Sequence, residues 1–184
     1  MMTVSPIAQW LEAIDCCPFA TSAGERARPQ HHPLYTPEQR SRRDASRWTL
    51  VQGVLAPLQF AIFLASLALV VRYLLTGEGL AAANLSILAK TIALYTIMLT
   101  GSFWERDVFG RYLFAPAFFW EDMFSMLVLA LHTAWLAALA TGALAPRAMM
   151  LLALAAYASY VVNATQFLMK LRAARLEAAR AGIA

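Results

Sequence analysis

Between Trp48 and Val71 the chain carries no Asp, Glu, Lys, Arg or His. A helix needs ~20 residues to cross a hydrocarbon core of ~30 Å, so this run is long enough to span a bilayer and too long for a buried soluble helix. Pro57 lies inside it and predicts a kink rather than an end, because neighbouring membrane helices can satisfy the carbonyl that proline frees. Gly77 and Gly79 close the run. Three more apolar stretches follow: Leu80 to Trp104, broken only by Lys90; Leu113 to Thr141, which carries Glu121, Asp122 and His132; and a stretch opened by Pro146 that is charge-free from Ala148 to Met169. Composition agrees, since 60% of the 184 residues are hydrophobic and 14% charged, against about 25% charged in an average soluble domain. The sequence shows no internal repeat.

The fold class this predicts is an all-α integral membrane bundle of four transmembrane helices. Residues 1–47 read as a polar cytoplasmic arm with a short helix near 37–47, and residues 48–172 as the membrane domain. Its spans are expected at about 48–75, 80–104, 113–141 and 147–170, followed by a basic cytoplasmic tail at 173–184. The arm lacks the order of a signal peptide, and Ser5 to Phe19 reads as one or two short amphipathic turns. Thr36-Pro37-Glu38-Gln39 has the pattern of a helix start, with a Thr cap, Pro in the first turn and Gln three residues after the Thr. Six Arg between Arg26 and Arg47, the pair Arg106 and Arg111, and Lys170, Arg172, Arg175 and Arg180 fall at one end of the spans. Only Arg72 and Arg147 fall at the other. By the positive-inside rule both termini then face the cytoplasm.

The same distribution argues against nucleic acid as a partner, because the basic residues serve orientation. Cys16 and Cys17 stand together in the arm and define no disulfide framework. No Gly-rich phosphate loop, Ser/His/Asp order or zinc-ligand spacing occurs, so neither a metal site nor a cofactor is expected.

Ionisable groups within spans are costly and mark function by default. Lys90, Glu121, Asp122 and His132 are such groups. Glu121, Ser125 and His132 recur at helical spacing on one face, with Asp122 about 100° away. This predicts an acidic pocket at the cytoplasmic end of the bundle. A structural ion pair of Lys90 with one carboxylate is expected either beside that pocket or in place of it. Glu105 and Asp107 read as a solvated pair in the link between spans, with Glu105 in reserve as a third acid. His132 reads as a hydrogen-bonded core residue or a ligand, and His31 and His32 as solvated. Trp104, Tyr112, Phe118, Phe119 and Trp120 crowd the same link. An interfacial aromatic belt accounts for part of this density. The rest forms a wall next to two carboxylates, suited to a flat apolar ring ligand.

The blocks Tyr35 to Arg40, Arg43 to Ser46 and Trp48 to Phe60 resemble the 3-vinyl bacteriochlorophyllide hydratase family of phototrophic bacteria. So do Thr100-Gly101, Trp104-Glu105, Phe109-Gly110, Tyr112 to Asp122, His132-Thr133, Asn163-Ala164, Gln166-Phe167 and Lys170 to Arg172. The resemblance covers about residues 33 to 176 and implies a hydro-lyase. Water adds across the C3 vinyl group of chlorophyllide a or 3-vinyl bacteriochlorophyllide a, giving a 3-(1-hydroxyethyl) group. It also implies no resident cofactor, since magnesium arrives within the substrate. The implied partners are lipid and neighbouring enzymes of bacteriochlorophyll synthesis. Gly53, Ala56, Gly101, Ala115 and Ala117 leave homo-oligomerisation open.

Such a reaction needs a carboxylic acid that holds its proton near neutral pH, a condition that burial and a second carboxylate both favour. The expected catalytic groups are Glu121 as acid, Asp122 as water-orienting base or partner of Lys90, and Glu105 in reserve. Lys90, Ser125, His132, Trp104, Tyr112, Phe118, Phe119 and Trp120 are expected to contact the substrate. The competing readings are a non-catalytic tetrapyrrole carrier or assembly factor using the same pocket, and a small transporter or structural bundle.

Overall fold

The structure, a computed structural model, describes residues 34–180. The turns expected between Ser5 and Phe19, the cysteine pair and His31 and His32 lie outside the described residues. Among the described residues every regular element is a helix. Helix α1 (Pro37–Ala45) starts at a capping box: the Thr36 hydroxyl accepts the Gln39 N–H at 3.3 Å, and the Gln39 side chain accepts the Thr36 N–H at 3.0 Å. This satisfies two of the amide donors that a helix start leaves free. Helix α2 (Arg47–Thr76) runs through Pro57 without interruption and stops at Gly77, where φ of +75° suits only a residue without a Cβ. Helices α3 (Leu80–Phe109), α4 (Phe119–Thr141) and α5 (Pro146–Arg180) complete the chain.

Four of these helices are long and apolar enough to cross a membrane. Only 22% to 39% of each apolar window is buried inside the protein, so most of the apolar surface faces outward. In water that would be an enormous exposed patch; in lipid it is the expected surface of a spanning helix. The protein is therefore an all-α membrane protein with four spans.

The helices pair as two antiparallel hairpins, α2 with α3 and α4 with α5, each packed along its length. The two hairpins meet more sparsely. Phe63, Val70, Ile87, Leu94, Val128, Trp135, Met150 and Tyr157 fill the central seam. A second cluster of Tyr35, Val108, Phe118 and Ala174 closes the end at which α1 lies.

Two boundaries differ from the sequence expectation. Helix α3 continues past Trp104 to Phe109, so Glu105 and Asp107 belong to its last turns rather than to a solvated link. At helical spacing Glu105 and Val108 then fall on the buried face, while Arg106 and Asp107 stay exposed. Helix α4 starts at Phe119 rather than near Leu113. Phe114 sits at φ +59°, in the left-handed region that a bulky side chain rarely enters, and Pro116 follows it. The chain from 113 to 118 is therefore a turn.

Candidate active site

That turn carries the chemistry inward. The Phe114 N–H donates to Asp122 Oδ2 at 2.7 Å, and the next amide, Ala115 N–H, donates to Glu105 Oε2 at 3.2 Å. Two consecutive backbone donors thus hold one carboxyl from α3 and one from α4. The left-handed conformation of Phe114 aims the donors, a strained backbone at the point where two acids meet. The two buried carboxyls lie close enough for their electrostatics to couple. Two carboxylates so placed repel when both are ionised, which favours a proton on one of them. Both residues are buried, Glu105 to 5% exposure and Asp122 to 3%.

Glu121 is turned elsewhere. Its Oε2 accepts from Lys170 Nζ of α5 at 2.6 Å, and the same ammonium donates to the Ala117 carbonyl. Lys170 also lies over the Phe118 ring, 4.9 Å from the centroid. The carboxylate expected as the acid is therefore engaged by a cation that the sequence reading used only for orientation. The antiparallel register of α4 and α5 makes this pair, and no local spacing displays it.

The expected ion pair of Lys90 with a carboxylate does not form. Among the described residues Lys90 Nζ has no hydrogen-bond partner, although the residue is fully buried. It rests 3.6 Å above the centre of the Tyr160 ring. Lys90 precedes Glu105 by fifteen residues on α3, about 22 Å of helix rise, which keeps it far from either acid. His132 lies on the buried face of α4 with Glu121 and Ser125, as its spacing predicts, about 15 Å beyond Asp122. Its Nδ1 contacts the Val128 carbonyl at 2.8 Å. Ser125 accepts from Asn163 Nδ2 at 2.9 Å.

The aromatic wall separates into two layers. Phe118 is the centre of the inner one: Trp104 stands edge-on to it at 5.6 Å, Phe109 at 5.7 Å, and Phe167 stacks on it at 5.9 Å. Tyr35 stacks on Phe109 at 5.8 Å and is itself buried. Burial pushes the Tyr35 phenol up from its ordinary value, opposed by the Arg43 guanidinium 4.9 Å from its ring centre. Trp104 is fixed by its indole N–H, which donates to Thr49 at 3.0 Å. Phe103, Tyr112, Phe119 and Trp120 form the outer layer and are exposed at the α3–α4 corner. Tyr35 and Phe167 were absent from the sequence-derived site because neither lies near the link in the chain. Among the described residues no three His, Cys, Asp or Glu side chains gather where a metal ion could be held.

A buried carboxyl pair beside an aromatic cluster, at one end of a membrane bundle, can deliver one proton and take back another next to a flat hydrophobic ligand. The family model for 2-vinyl bacteriochlorophyllide hydratase matches residues 35–173. The 2-vinyl bacteriochlorophyllide hydratase of Cereibacter sphaeroides is 67% identical over 148 residues, 80% of this chain and 91% of that protein. Its namesake in Rhodobacter capsulatus is 65% identical over 151 residues, 82% of this chain and 88% of that one. No solved structure matches. The match takes in all four spans, the Phe114 turn and both carboxyls, and on this ground the chain belongs to the 2-vinyl bacteriochlorophyllide hydratase family.

Proposed function

We propose that this protein adds water to the vinyl group of a chlorophyllide-type macrocycle, giving the 1-hydroxyethyl substituent, as a hydro-lyase of bacteriochlorophyll synthesis. The vinyl position numbered 2 in the family's name is C3 in the current numbering of the macrocycle. The carrying observation is the buried contact between Glu105 and Asp122, two acids from different hairpins held by consecutive amides.

An alkene is a weak electrophile, so the reaction starts with proton transfer. The acid gives its proton to the terminal vinyl carbon, and the π electrons form the new C–H bond. Positive charge appears on the carbon next to the ring, where the macrocycle delocalises it. Water forms the C–O bond at that carbon and loses a proton to the other carboxylate, which restores the pair. Asp122 takes the shorter amide bond, a charge-assisted contact that suits the anion. Glu105 is accordingly the acid and Asp122 the base that orients water. Glu121, held by Lys170, anchors α4 to α5 and transfers no proton.

The macrocycle reaches the pair from the lipid at the α3–α4 corner, where Phe103, Tyr112, Phe119 and Trp120 offer an exposed aromatic face. Trp104 and Phe118 back that face from inside. No resident cofactor takes part, and magnesium belongs to the substrate. The basic end, with Arg106, Arg111, Lys170 and Arg172, faces the cytoplasm in the inner membrane of a phototrophic bacterium, so both termini are cytoplasmic.

The test uses membranes from a non-phototrophic host expressing the chain, incubated with chlorophyllide a in water enriched in oxygen-18. The expected product has gained one labelled water, and its red band is blue-shifted through loss of the vinyl conjugation. Pigment that copurifies unchanged would overturn the hydratase reading in favour of a carrier.

A further inference from the structure

Five buried polar atoms without a hydrogen-bond partner among the described residues fall, by helical spacing, on inward stripes: Gln166 Oε1 and Asn163 Oδ1 on α5, His132 Nε2 and Trp135 Nε1 on α4, and Lys90 Nζ on α3. A column is built by the facing stripes of α4 and α5. Glu121 meets Lys170 at its lower end, Ser125 meets Asn163 above that, and the His132 ring meets Tyr157 at 6.0 Å higher still. These three rungs keep one antiparallel register over about 16 Å of helix rise. Lys90 joins from α3 at the upper end, over the ring of Tyr160, which lies three residues along α5 from Tyr157. The column therefore runs from the level of the carboxyl pair to the middle of the bilayer.

One aromatic face leaves the N–H groups of Lys90 without an acceptor at that depth, and each orphaned amide, imidazole and indole atom likewise favours a hydrogen-bond partner. The chemistry of the set decides what solvates it. Lys90 Nζ and Trp135 Nε1 only donate, whereas the Asn163 and Gln166 oxygens only accept. His132 Nδ1 faces a carbonyl and so carries the ring hydrogen, which leaves Nε2 as an acceptor in the neutral ring. A bound anion would answer the donors and repel the carbonyl oxygens. A bound cation would do the reverse beside a lysine. Water both donates and accepts, and buried water commonly makes about three such bonds.

We propose that this column is an internal water-binding site, with ordered waters bridging Lys90, His132, Trp135, Asn163 and Gln166. It stores the water that the reaction consumes, at a depth where the macrocycle shuts out the bulk phase. The binding of water stands on the orphaned atoms alone, and the supply role rests on the hydratase reading.

The test is radiolytic hydroxyl footprinting of the full chain in lipid nanodiscs, in water enriched in oxygen-18, with residue labelling rates divided by intrinsic side-chain reactivity. Trp135 and Tyr157 belong to the stripes that carry the orphaned atoms and are 0% and 2% exposed; Met150, at 0%, lies in the same core and has no polar N or O to hold a water. Bound water is expected to label Trp135 and Tyr157 at least tenfold faster than Met150. Lys90→Met keeps the aliphatic length, removes the strongest water-holding group and deletes a buried charge. It is expected to cut that labelling at least fivefold and to lower turnover at unchanged pigment affinity. Rates for Trp135 and Tyr157 no higher than for Met150 would overturn the water site. Unchanged labelling in Lys90→Met would remove Lys90 from it. Strong labelling in a protein that never hydrates pigment would leave the site standing and overturn both the supply role and the hydratase reading.

Discussion

Replacing Glu105 by Gln separates the proton from everything else that residue does. Gln keeps the length and planarity of Glu, its carbonyl oxygen can still accept the Ala115 N–H, and its amide can donate to Asp122 across the existing contact. The turn, the left-handed Phe114 and the seat of Asp122 therefore survive, and the bundle should unfold at nearly the wild-type temperature. What is lost is the transferable proton. General acid catalysis by a positioned side chain typically contributes 10²–10⁴-fold, about 3–5.5 kcal/mol of barrier. The expected result is a fall of that size in kcat with pigment Kd within about threefold of wild type. The assay is single-turnover conversion of chlorophyllide a followed at the red band, with Kd measured separately by fluorescence quenching. Glu121→Gln is the matched control: it weakens the ion pair to Lys170 but leaves Glu105, Asp122 and the amides that hold them in place. Because Lys170 keeps 25% side-chain exposure, the full penalty of a buried pair does not apply. The loss is about 1–3 kcal/mol of stability, with little change in kcat. If Glu105→Gln turned over within threefold of wild type while Glu121→Gln lost a hundredfold, the acid would be Glu121 and the reasoning from the carboxyl contact would be refuted.

Further outcomes follow from the same geometry. Phe114→Gly should keep turnover within tenfold, since glycine adopts φ near +59° without strain. Phe114→Val, β-branched and costly in that region, should lose at least tenfold in kcat by misplacing the amide that holds Asp122. Phe118→Ala removes the ring on which Trp104, Phe109 and Phe167 converge. Thermal unfolding in detergent should show a loss of about 2–4 kcal/mol, and near-ultraviolet circular dichroism should report the freed Trp104. Tyr35 has its folded-state value raised by burial, so its stabilisation is complete below the ordinary value of 10.0 and is lost as pH rises through the folded one. Absorbance at 295 nm should show one late-titrating phenol fewer in Tyr35→Phe than in the wild type, and the end of the bundle near α1 should loosen only in strong alkali.

The spans were legible because lipid tolerates so few charges: long runs without Asp, Glu, Lys or Arg make up most of α2, α4 and α5. The start of α1 was legible for a local reason, the reciprocal bonds of Thr36 and Gln39. The site was less so. Glu105-Arg106-Asp107 has the composition of a solvated link, and only the extra turns of α3 divide it into one buried acid and two exposed neighbours. The shared face of Glu121, Ser125 and His132 follows from helical period, which a sequence displays. The bond from Lys170 to Glu121 follows from the register between two helices, which it does not. Phe114 illustrates the same limit, since its left-handed backbone depends on Asp122, a residue of the following helix.

The two acids sit on opposite hairpins, Glu105 at the end of the first and Asp122 at the start of the second. During biogenesis each hairpin can enter the bilayer as a unit, because each satisfies its own backbone and carries its apolar surface with it. A chain with only its first hairpin inserted holds Glu105 but lacks the amides of Phe114 and Ala115 and the carboxyl that couples to it. Such an intermediate can meet pigment in the membrane without protonating it. On the proposed assignment of the two acids, reactivity toward an alkene arises only where the hairpins dock, and neither hairpin alone carries the complete pair.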